Sequence, residues 1–84
     1  MVTIHKYQFQ LAHEFEIEMP DNARILSVQE VQGEWCMWAL VENDVPVEKR
    51  KFKGYWTGEE LNGLAWFRTH IATVQDVYVW HIFE

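Results

Sequence analysis

The sequence predicts a mostly β fold, a small antiparallel barrel or sandwich of about seven short strands with at most one short helical turn near residues 57–63. Three observations carry this expectation. Apolar and polar residues alternate with period two along most of the chain, turn-forming residues recur at close spacing, and one segment is apolar on both faces. A length of 84 residues suits one globular unit, 1–84, and no more.

Thr3 to Phe9 reads as the first strand, with Ile, Tyr and Phe set among polar residues. His13 to Met19 alternates cleanly and puts Phe15, Ile17 and Met19 on one face and Glu14, Glu16 and Glu18 on the other. Pro20-Asp21-Asn22 supplies turn chemistry. Ala23 to Val31 follows as a strand, and Gln32-Gly33 joins it to Trp35–Val41 as a hairpin, with Gly33 providing the positive φ. Trp35 to Val41 is apolar on both faces, so it is expected to be central and covered on both sides, or enclosed in a small barrel. Val47 to Tyr55 forms the next strand, Pro46 suiting its start. Thr57 to Arg68 mixes signals: Thr57 and Glu60 resemble a capping box, while Gly58 and Asn62-Gly63 interrupt any helix. A strand is expected from about Leu64 to Val74, and a last one from Val77 to Phe83.

Composition narrows the class. Cys36 is the only cysteine, so no disulfide braces the chain, and a lone thiol fits a reducing cytosol. Flanked by Trp35 and Met37, it reads as core. Five Trp, five Phe and three Tyr supply the apolar area instead. Trp35, Trp38 and Trp80 read as core residues. The first residues lack the pattern of a secretion signal, and the longest apolar run is far too short to span a bilayer. A net charge of −6 argues against a nucleic-acid partner, since phosphate affinity comes mainly from Lys and Arg.

Motifs for phosphate loops, dinucleotides, zinc ribbons, thiol redox pairs and hydrolase elbows are missing, so the expectation is a non-enzyme without a cofactor. One metal idea arises if Gln75-Asp76 is a two-residue turn. His70 then faces His81 across adjacent strands, with His5 or Glu84 as further ligands. The plainer reading is an aromatic cross-strand pair, and the ligand set is incomplete, so no metal residue is assigned. The informative polar features are two charge stripes. Glu14, Glu16 and Glu18 share one strand face, and Lys49, Lys51 and Lys53 share a face of another. They either form a cross-strand ladder or meet a partner's opposite charge. Tyr55 and Trp56, beside the basic stripe and just before the Thr57-Gly58 turn, are the expected aromatic anchor of such a surface.

Ile4-His-Lys-Tyr7, Met19-Pro20, Ala23-Arg-Ile-Leu-Ser-Val-Gln29, Trp38-Ala-Leu-Val41, Thr57-Gly58 and Val79-Trp-His-Ile-Phe-Glu84 together resemble a family of short, uncharacterised proteins of tailed bacteriophages and prophages. Glu59 to Arg68 departs most from that pattern. The resemblance implies no catalytic residues. It implies a phage origin, and a compact, motif-free, aromatic and acidic domain of that origin is expected to be a non-enzymatic protein in the host bacterial cytoplasm that binds a host protein, as a host-takeover or anti-defence inhibitor acting by surface occlusion. The alternative is a minor virion or assembly component, homo-oligomeric through an exposed edge strand.

Overall fold

A computed structural model describes residues 1–84 as seven strands and one 3-10 turn. The strands are β1 (Val2–Phe9), β2 (Glu14–Pro20), β3 (Arg24–Val31), β4 (Glu34–Glu42), β5 (Val47–Trp56), β6 (His70–Gln75) and β7 (Val79–Phe83). They form two antiparallel sheets, a three-stranded one ordered β1-β4-β3 and a four-stranded one ordered β2-β5-β7-β6. The expected mostly β architecture is therefore a sandwich, not a closed barrel.

Period-two alternation decides which side chains meet between the sheets. Ile17 and Met19 of β2, Val28 of β3, Met37, Ala39 and Val41 of β4, Phe52 of β5 and Ile82 of β7 form the buried cluster. Phe9, Phe15 and Phe52 stack in series at one end, with ring centroids 4.7 and 5.3 Å apart. The molecule is only 16 Å thick along its shortest Cα axis, against 41 and 32 Å along the others. Two thin layers enclose few residues completely, so many large apolar side chains are left at the rim.

Two local devices hold the layers in place. The corner between β1 and β2 crosses β5 at Gly54, whose N–H donates to His13 O at 2.9 Å. A Cβ there would lie 2.4 Å from Ala12 O, so only glycine lets the two backbones approach. Arg50 points inward from β5 and clamps the chain end, its Nε and one terminal nitrogen donating to the Glu84 carboxylate at 2.6 and 2.5 Å. Its other terminal nitrogen donates to Ala23 O at 2.6 Å. The bond to Glu84 lifts the guanidinium pKa further above its already high ordinary value, although burial opposes this.

The structure corrects several boundaries. Gln32 and Gly33 form the expected hairpin, with φ of 53° and 82°. Pro20 is both the last residue of β2, paired with Val47, and the first of the expected turn, its O accepting from Ala23 N at 3.0 Å. The one helical turn, expected near 57–63, is a 3-10 turn at Gly63–Phe67, starting at the end of that stretch, and β6 starts at His70, not Leu64. β4 is central in its sheet, as expected, but only its inner face is covered by the other sheet. Trp38 and Leu40 lie half-buried on the outer face, so Trp38 is not part of the core, whereas Trp80 is buried and Trp35 packs against the core from the rim.

Candidate interaction surface

Alternation along β2, β5, β7 and β6 sends a second set of residues to the outer face of the four-stranded sheet. The two charge stripes meet there in register: Glu14 opposite Lys53, Glu16 opposite Lys51, and Glu18 opposite Lys49. The rows thus face each other across one strand pair, the arrangement of a cross-strand ladder. Glu14 and Lys53 form an ion pair. That hydrogen bond, with the charges of Lys53, Arg68 and Lys51, holds the Glu14 carboxyl below its ordinary pKa.

Beyond the ladder the same face becomes aromatic and neutral. Tyr55 and Phe83 lie 5.8 Å apart, and His70 meets Phe83 edge-on at 5.3 Å. A chain of polar contacts joins His70 Nε2 to Thr73 Oγ1 (2.9 Å), Thr73 Oγ1 to His81 Nδ1 (3.1 Å) and His81 Nε2 to Thr57 Oγ1 (2.7 Å). His70 does not face His81. It pairs with Phe83, and His81 pairs with Thr73, because the β6–β7 turn spans Asp76 to Tyr78 and closes with Asp76 N donating to Tyr78 O. His5 lies on the other sheet and Glu84 is held by Arg50. No group of three or more His, Cys, Asp or Glu is placed to hold a metal ion.

The 57–69 connection is ordered by its own hydrogen bonds. Gly58 turns the chain at φ 89°, and Glu59 Oε1 accepts from Trp56 N at 2.8 Å. Asn62 then caps the 3-10 turn, its Oδ1 accepting from Leu64 N at 2.8 Å. Arg68 N donates to Ala65 O, and Thr69 exchanges backbone bonds with Glu84. This short turn has no buried residue. Leu61 and Leu64 are exposed, and Trp66 and Phe67 are 90% and 86% exposed, more than any other aromatic side chains of the chain. Arg68 links this tip to the ladder. It lines a shallow hollow with Leu61, Trp66 and Phe83, and a second with Glu14, Glu16 and Lys51.

Of the expected anchors, Tyr55 and Trp56 separate. Tyr55 faces outward beside Phe83, while Trp56 turns to the opposite face and packs edge-on against Trp80 at 5.5 Å and near Tyr78 and His13. They are neighbours in sequence and therefore on opposite sides of a strand. The exposed pair Trp66-Phe67 was not singled out by sequence. Its available signal was two large aromatics in a Gly- and Asn-interrupted segment with no strand alternation to bury them.

A family model described as Domain of unknown function (DUF7352) matches residues 1–84. No curated protein and no solved structure matches the chain. No helix is long and apolar enough to cross a membrane.

Proposed function

The chain belongs to the DUF7352 family, whose description assigns no activity, and from that premise we propose that it is a non-catalytic protein-binding module that docks through its Leu61–Phe67 tip. One observation carries the reading: Trp66 and Phe67 stand in solvent on a segment fixed by its own caps. Together they offer roughly 400 Å² of largely apolar area, worth on the order of 10 kcal/mol at 25 cal/mol/Å². Association itself costs about 4–15 kcal/mol, so the tip needs a surrounding rim to give stable binding. Arg68 and the Glu14–Lys53 end of the ladder supply one. Because the tip is already ordered, little further entropy is lost on docking.

The partner is a protein with an apolar pocket that receives the two rings. The resemblance to tailed-phage and prophage proteins supports a bacterial host protein as that partner. The effect is occlusion of its surface, in host takeover or in blocking a defence system. The second reading, a virion or assembly component, is favoured by the open strand edge described below.

A tagged pull-down from infected host cells tests the reading with wild type, Trp66→Ala/Phe67→Ala and Lys49→Glu/Lys51→Glu. The expected result is one stoichiometric host protein held by wild type and by the lysine variant, and lost by the tip variant. Recovery of virion proteins alone sinks the host-directed reading. Equal retention by the tip variant sinks the docking site.

A further inference from the structure

Four strand edges are open in the sandwich, and three are guarded. β2 ends in Pro20 and carries three carboxylates. β6 has only six residues and a register shift between His70 and Ala72. β3 is interrupted by a shift between Ile25 and Ser27. β1 is the least protected of the four. Its eight residues pair with β4 in unbroken register, with no proline, no bulge and a single charge, Lys6.

The hydrogen-bonding side of that edge follows from one contact. Asn43 N donates to Met1 O, and residues 1 and 43 continue the β1–β4 register. In an antiparallel pair, hydrogen-bonded and non-hydrogen-bonded positions alternate. Thr3, His5, Tyr7 and Phe9 therefore bond β4, and Val2, Ile4, Lys6 and Gln8 turn their N–H and C=O groups to the open side. Those same four side chains lie on the outer face, where Ile4 is 58% exposed close to Trp38 and Leu26.

We infer that β1 is a self-pairing edge, through which two copies of this chain join antiparallel about a two-fold axis into one continuous six-stranded sheet. The sequence of the edge selects the register. Centring the axis on His5 sets Val2 against Gln8 and Ile4 against Lys6 of the second copy, so all four open positions exchange bonds, about eight in total. The aliphatic stem of each Lys6 then lies across the exposed Ile4 of the other copy. Moving the axis to Lys6 opposes two like charges, and moving it to Ile4 carries Gln8 past the Val2 end of the partner's β1, so that only three of the four open positions lie strand against strand. The edge is thus self-complementary in one register. It uses neither the tip nor the charge ladder, so its fate is independent of the docking site above.

Light scattering and amide exchange on the native protein test the inference, with Lys6→Pro as the variant. Position 6 directs its N–H to the open side, so proline there removes an intersubunit donor and no β4 bond. Wild type at about 1 mM should have twice the chain mass, and the Ile4, Lys6 and Gln8 amides should exchange at least tenfold more slowly there than at about 10 µM. Lys6→Pro should be monomeric, and Trp66→Ala/Phe67→Ala should still dimerise. A monomeric wild type at the higher concentration overturns the inference. So does a dimer whose Ile4, Lys6 and Gln8 amides exchange as in the dilute protein; this readout needs no variant.

Discussion

Replacing Arg50 with methionine keeps most of the side chain's length while removing its donors. Two charge-assisted bonds to Glu84 and one to Ala23 O are lost. Breaking a fully buried ion pair costs about 3–5 kcal/mol, because the stranded charge stays out of water. Here the side chains of Arg50 and Glu84 are 15% and 27% exposed, so the Glu84 carboxylate regains some hydration. That discount places the cost at about 2–3 kcal/mol. An unfolding entropy of about 2.1 cal/mol/K per residue gives about 0.18 kcal/mol/K for this chain. The melting temperature should therefore fall by about 11–17 °C. Thermal unfolding followed by circular dichroism measures it, and a double-mutant cycle with Glu84→Gln isolates the pair, with an expected coupling of at least about 1 kcal/mol. A fall under about 4 °C, or a coupling of zero, would refute the clamp.

Other perturbations separate the parts of the account. Gly54→Ala places a methyl 2.4 Å from Ala12 O and 3.0 Å from the Trp80 ring, which forces the β1–β2 corner away from β5. It should lower the melting temperature by about 6–17 °C, from an overpacking cost of about 1–3 kcal/mol. Glu14 has a folded-state pKa below its unfolded value near 4.5, so its contribution is full above that pH and disappears as pH falls through the lower folded value. The melting-temperature difference between wild type and Glu14→Gln should then be constant above about pH 5 and shrink at lower pH. Trp66→Ala/Phe67→Ala should shift the melting temperature by no more than about 3 °C, because exposed side chains contribute little to folding, while raising solubility.

Local patterning was legible in the sequence because strand chemistry repeats every two residues. The mostly β class, the Gln32-Gly33 hairpin, the two charged faces and the shared face of Phe15, Ile17 and Met19 all follow from that period and its turns, whereas the choice between barrel and sandwich does not. Partner choice between distant strands did not. Nothing in Val2–Phe9 states that it lies beside β4, nor in Glu14–Pro20 that it lies beside β5. The doubly apolar β4 suggested two covering layers, yet it has one, because neighbouring strands half-cover Trp38 and Leu40 without a third sheet. A two-residue turn at Gln75-Asp76 is expected where the chain has a longer one at Asp76–Tyr78, and the resulting three-residue change of register moves the partner of His81 from His70 to Thr73. The 57–69 segment was opaque because its order comes from side-chain caps at Glu59 and Asn62, which carry no periodic signal. The exposed aromatic pair lies there.

The tip is tested most directly by photo-cross-linking in infected host cells. A benzophenone side chain would replace Trp66 in one protein and Gln29, on the outer face of the other sheet, in a second. Exposed aromatics that act as docking hot spots lie at the centre of an interface, within about 4 Å of partner atoms. The account predicts one dominant adduct with a single host protein from position 66 and none with that protein from position 29. An adduct to that host protein from position 29 with none from position 66 would contradict it, as would an absence of any host adduct at position 66.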